Sequence, residues 1–128
     1  MNSRERTKEL VKRQGRDWAL PSHLAGMQGG EVVRSLRAEC YPDRLILPSS
    51  NTGPLEIFGL ATENIDSATL RLATSLRDRI DRWGPALPGA RWKPRLEVLV
   101  HPGGEVRFNQ LQTLMTGSGI DVVGRSAR

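Results

Sequence analysis

Ile65, Ala68, Leu72, Leu76, Ile80 and Trp83 recur every three or four residues. That spacing puts one apolar face on an α-helix and predicts one from about Asp66 to Trp83. Asn64 or Asp66 can cap its start by accepting a hydrogen bond from a free backbone N–H. Arg82 falls in the last turn, where the helix dipole favours a cation. Gly84 and Pro85 stop it. A helix with a single apolar face needs a flat surface to bury it against. The run Arg95–Val100 supplies one: Leu96, Val98 and Val100 share a parity, and Leu99 adds apolar surface to the other side. This is the pattern of an interior strand covered on at least one face.

The rest of the sheet is read from turns and short alternations. Leu36, Ala38 and Cys40 share a parity within Glu31–Tyr41, a first strand. Tyr41-Pro42-Asp43-Arg44 suits a type I turn, with proline presetting φ at the second position. Arg44–Leu47 returns as a second strand, ended by Pro48. Leu55–Leu60 reads as a third, with Leu55, Ile57 and Gly59 on one face. Pro85–Pro94 reads as a loop. A second helix, Glu105 to Thr116, buries Phe108, Leu111, Leu114 and Met115, and Gly117-Ser118-Gly119 ends it. Ile120–Val123 is the last strand, with Ile120 and Val122 in one parity. The order ββ(β)αβαβ predicts an α+β, two-layer domain: a mixed sheet of four to five strands with two helices on one face.

This domain is assigned to residues 31–124, behind a basic flexible segment and linker at 1–30 and ahead of a polar tail at 125–128. Leu10 and Val11 are the only apolar residues in 2–16, so no more than one or two helical turns are expected there. Residues 26–30 are glycine-rich linker. Residues 1–37 hold eight Lys/Arg against four Asp/Glu, while 38–128 hold eleven against ten. The basicity therefore sits in the leading segment, and the domain lacks the broad basic face of a nucleic-acid-binding fold. No apolar run approaches the length needed to cross a bilayer, and the start is polar and basic, so the chain is expected in the cytoplasm without membrane insertion. One cysteine excludes an internal disulfide and a multi-cysteine zinc site.

No set of side chains reads as catalytic, cofactor-binding or metal-ligating. Cys40 has an inward parity, which favours a structural thiol over a nucleophile paired with His23 or His101. His101 closes the interior strand with Glu105 as its only apparent carboxylate partner. The turn His101-Pro102-Gly103-Gly104 lies between strand and helix but lacks the longer glycine loop and lysine of a phosphate site. Arg71, Arg77, Arg79 and Arg82 read as a solvated, salt-linked face, with an Asp78–Arg82 pair. Trp18 and Trp92 are candidates for partner contact, because tryptophan is common in recognition surfaces. Trp83 reads as core. Ile120 and Val122 mark a candidate edge strand for pairing with a partner, and the strand at 55–60 is another.

The strand–turn–strand Arg37–Leu47, the apolar strand Leu96–Val100, the helix carrying Phe108, Leu111 and Leu114, and the ending Gly117-Ser-Gly-Ile-Asp-Val-Val123 resemble the soluble domain of the ExbD/TolR family of biopolymer-transport accessory proteins. The resemblance spans about residues 37–123 and rests on hydrophobic pattern and turns. It implies a domain that binds a partner or itself through sheet edges and loops. That family's N-terminal membrane helix and its acidic residue have no counterpart here, so proton coupling does not carry over. Trp18-Ala-Leu-Pro21, Trp83-Gly84, Trp92-Lys-Pro94, Gly103–Arg107 and Leu114–Gly119 are similar to landmarks of a small uncharacterised bacterial family, which implies no activity. The expected function is a non-enzymatic protein-binding or assembly module without a cofactor. A nucleic-acid binder using the basic segment is the alternative.

Overall fold

The structure, a computed structural model, describes residues 3–18, 31–60, 64–86 and 90–127; of residues 3 and 12–18 it describes the backbone alone. Eight elements follow one another: α1 Ser3–Trp18, β1 Glu31–Cys40, β2 Arg44–Leu47, β3 Glu56–Gly59, α2 Ile65–Asp81, β4 Arg91–Val100, α3 Glu105–Leu114 and β5 Asp121–Ser126. The strands form one open sheet in the order β3-β2-β1-β4-β5. β1 runs parallel to β4 over its whole length, Glu31 opposite Arg91 through Cys40 opposite Val100. β4 and β5 are also parallel, while β1–β2 and β2–β3 are antiparallel. The class is α+β, with a mixed five-stranded sheet.

The core lies between the helices and one face of the sheet. Leu36, Ala38, Cys40, Leu45, Leu47, Leu96 and Val98 meet Ile65, Ala68, Leu72, Leu76, Ile80, Leu111 and Leu114 there, all buried. These are the residues whose parity or helical spacing marks them in the sequence. The Asn64 side chain accepts from the Ser67 N–H at 2.8 Å and so caps α2. Gly84, at φ 76°, takes the left-handed turn that leads away from its end.

Four departures from the sequence reading have physical causes. The first is a third helix: α1 runs for 16 residues where one or two turns were expected. Thr7 and Val11, one turn apart, are buried against the helical layer, and Arg4 pairs with Asp66 at 3.2 Å. Two inward positions per two turns suffice when the helix lies on other helices. The second is β3, which turns Phe58 inward and leaves Leu55 and Ile57 each 56% exposed. Its register, Phe58 opposite Leu45 and Ile57 opposite Ile46, follows the parity of β2 and outranks the local apolar count.

The third concerns β4, which starts at Arg91 and so takes Trp92 and Pro94 out of the expected loop. Val100 turns its carbonyl to Ala127 on the β5 side, while His101 turns its N–H to Cys40 on β1. By alternation, the nitrogen of Pro94 faces the β5 side, and β5 begins only opposite Arg95. The missing N–H of Pro94 therefore breaks no ladder bond. The fourth is β5, which continues to Ser126 through the first half of the expected polar tail. Its outer face looks onto solvent, so polar residues fit the strand.

Candidate functional site

β1 is much longer than its neighbour β2. Cys40 accepts through its carbonyl from the His101 N–H on the β4 side, and Tyr41 donates its N–H to the Arg44 carbonyl on the β2 side, each at 2.9 Å. Successive residues of a strand aim their backbone groups to opposite sides. Val33, Ser35 and Arg37 therefore present N–H and C=O away from β4, toward the β2 side. β2 meets β1 only at Glu39–Ile46 and Cys40–Leu45. Continuing that register would set Pro48 opposite Arg37, and proline has no N–H to give.

Beyond Pro48 the chain is drawn toward α2. Arg79, 5% exposed, donates from Nη1 to the Pro48 carbonyl at 2.7 Å and from Nη2 to the Pro54 carbonyl. Arg82 donates to the Thr52 carbonyl at 2.7 Å. Ser50 and Gly53 close the tip on each other through two backbone bonds of 2.8 and 3.3 Å. Gly53 is needed because a Cβ there would sit 2.7 Å from Arg79 Nε. Burial pushes the Arg79 guanidinium below its usual pKa, with Glu56 opposing the shift. The result is a cleft of about 600 Å³ along the exposed edge of β1, bordered by the segment 48–52 and reaching over to Glu97–Leu99 of β4 and Arg125 of β5, with Trp83 and Leu36 among its lining.

Arginines dominate the charge of this cleft: Arg34, Arg37, Arg79 and Arg125 against Glu39 and Glu97. The Arg34 guanidinium lies over Trp83 at 4.7 Å and over Trp92 at 5.4 Å. The two indoles meet edge to face at 5.3 Å, and Trp92 Nε1 donates to the Gly84 carbonyl at 2.7 Å. Arg34 is thereby held by ring faces. The guanidinium groups of Arg34, Arg37 and Arg125 make no hydrogen bond or ion pair to another described residue.

The residues singled out in the sequence fall in different places. Trp92 sits in β4 behind Arg34 and contributes to the cleft indirectly. The side chain of Trp18 lies outside the described residues. Ile120 is buried, just ahead of β5, and Val122 is half-buried against the core. The β5 edge is also partly occupied, because Gln112 Nε2 donates to the Val122 carbonyl at 3.1 Å. His101 pairs with Glu39, not with the expected Glu105: Nε2 and Oε1 are 2.7 Å apart, and the ring stacks on Tyr41 at 3.9 Å. Parity explains this, since His101 and Glu39 project on the helix-free face while Glu105 begins α3.

Cys40 projects to the helix face, fully buried, with its Sγ 3.5 Å from the Gly104 carbonyl, and burial pushes the thiol up to about 11. It is therefore not paired with His101. Arg77 bonds Asp81 at 3.8 Å, while Arg82 turns to the 48–54 segment and away from the expected Asp78 partner. Arg79, expected on a solvated, salt-linked face, is instead buried. Its signal was present, three positions after Leu76 on the apolar stripe. Among the described residues, no three His, Cys, Asp or Glu side chains converge as metal ligands, and no helix is long and apolar enough to cross a membrane. No protein-family model matches the chain, and neither a curated protein nor a solved structure is significantly similar to it.

Proposed function

We propose that this chain is a non-enzymatic protein-binding module that takes an extended segment of a partner as an added strand along β1. The observation that carries the reading is the mismatch of strand lengths. β1 is ten residues long and fully paired to β4, yet β2 covers only its last two positions. Backbone donors and acceptors with no partner among the described residues form a template for another strand. The cleft beside it gives side chains of that strand a place to go.

The other edges are poorer acceptors. β3 is only four residues long, and Gln112 already occupies part of β5. The resemblance to the soluble domain of transport accessory proteins agrees with an assembly role through sheet edges. The basic-arm nucleic-acid reading draws no support from α1, whose Arg4 is engaged by Asp66 and whose Thr7 and Val11 face the helical layer.

A displayed library of random extended peptides tests the proposal. Selected peptides should slow hydrogen exchange at the amides of Val33, Ser35 and Arg37. Selected peptides that leave those three amides unchanged, or a library that yields no binder, would refute it.

A further inference from the structure

The cleft beside β1 has a chemical preference, and this inference rests on the strand-addition reading above. We infer that the strand it accepts is acidic: an extended partner segment with carboxylates at alternate positions, one of them received by Arg34.

Three observations converge on this occupant. First, the lining is unbalanced, with four arginines against two carboxylates. Glu39, one of those two, is engaged by His101 and by the Tyr41 hydroxyl at 3.3 Å. Second, the arginines differ in what they can still do. Arg79 spends its donors on the Pro48 and Pro54 carbonyls. The guanidinium groups of Arg34, Arg37 and Arg125 have no hydrogen bond or ion pair to another described residue. Third, Arg34 is preorganised: the faces of Trp83 and Trp92 hold the guanidinium and leave its planar N–H fork for a bidentate acceptor.

The pleat sorts these groups. Arg34 shares the parity of Leu36 and Ala38 and lies toward the helix side of the sheet, at the Trp83 end of the cleft. Arg37 and Arg125 share the parity of Glu39 and Leu99 and lie on the helix-free face. An incoming strand alternates its side chains in the same way. It can set one carboxylate toward Arg34 and another toward Arg37, while its backbone pairs with Val33, Ser35 and Arg37. A basic strand in the same place would face, on both sides, guanidinium groups with no partner among the described residues.

The test uses the full chain and labelled peptides about eight residues long, enough to span the open edge. All share one β-forming frame and carry Glu, Gln or Lys at the same alternate positions. Fluorescence anisotropy should show the Glu peptide binding about tenfold or more tighter than the Gln peptide, and the Lys peptide weakest, with the difference shrinking as salt rises. Arg34→Gln and Arg37→Gln should each bring the Glu peptide toward the Gln level without lowering the thermal midpoint enough to unfold the chain. N-methylation of the pairing amides should abolish binding of the Glu peptide.

Equal affinity of all three peptides, all lost on N-methylation, would overturn the acid preference and leave strand addition standing. A Glu peptide whose binding survives N-methylation would overturn strand addition itself and this inference with it. Failure of every peptide to bind would overturn both. Self-association without peptide that protects the same three amides would replace the acidic partner with a second copy of the chain.

Discussion

Replacing Arg79 with methionine tests whether the β1 edge is held open by α2. The aliphatic stem is kept, and the two donors to the Pro48 and Pro54 carbonyls are lost. A hydrogen bond from a charged donor contributes about 1.5–3 kcal/mol, so the pair contributes roughly 3–6 kcal/mol gross. Removing a buried guanidinium also relieves its desolvation, and both carbonyls lie near enough to the surface to regain water. Those two effects offset roughly half, which leaves a net loss of about 1.5–3 kcal/mol, or roughly 10- to 150-fold in the folding constant. Urea unfolding followed by tryptophan fluorescence measures it. Hydrogen exchange at Ser50 and Gly53 should quicken by a larger factor, because these amides depend on the segment staying folded on itself. Arg82→Met, which loses one bond from an exposed side chain to Thr52, should cost less than about 1 kcal/mol. If Arg79→Met stays within about 0.5 kcal/mol of the parent, or if Arg82→Met is equally harmful, the clasp is not what holds the segment away from β1.

Further outcomes follow from single positions. Gly104→Ala places a Cβ 2.6 Å from the Cys40 carbonyl oxygen, a backbone atom in the sheet, and should cost more than about 2 kcal/mol in a thermal melt; an unchanged midpoint would show that the β4–α3 turn is pliable. Asn64→Ala removes the cap on Ser67 and should cost about 1 kcal/mol in the same assay. The Cys40 thiol, raised from 9.0 to about 11 by burial, should resist a thiol reagent in the folded chain and react only in denaturant. Its contribution to stability is full below the unfolded-state value and lost as pH rises from about 9 to 11; Cys40→Ser should flatten that part of an alkaline stability profile. Val122→Pro alters an N–H on the outer side of β5 and should leave peptide binding at β1 unchanged, as anisotropy can check.

Much of the fold is visible in the sequence because burial leaves a periodic trace. The stripe of α2 and the parity of Leu36, Ala38 and Cys40 are direct consequences of facing one core. Arg44–Leu47 is bounded by a turn and a proline, so its limits could be read to the residue. The misses share a cause: the deciding partner lies far away in sequence. Phe58 turns inward because Leu45 does, and Pro94 fits an interior strand because β5 starts late. α1 is a full helix because α2 and α3 offer it a surface. The cleft depends on the same kind of distant fact. Pro48 shows that β2 stops, but only the pairing of β1 with β4 reveals how much of β1 is left uncovered. Arg79 sits on the apolar stripe at a helical spacing, yet its role needs the carbonyls of Pro48 and Pro54.

The parallel match of β1 and β4 joins positions sixty residues apart, Glu31 to Arg91. Such pairing forms late, because a long loop must close before any of its contacts reward it. A chain synthesised only as far as Gly84 holds β1, β2, β3 and α2, but not the strand that covers the inner edge of β1. In that state β1 offers one edge over its whole length and most of the other. The ten residues 31–40 are then a bare template, open to wrong strands as well as right ones. The interval between the synthesis of Cys40 and that of Val100 is thus when β1 is most open to mispairing.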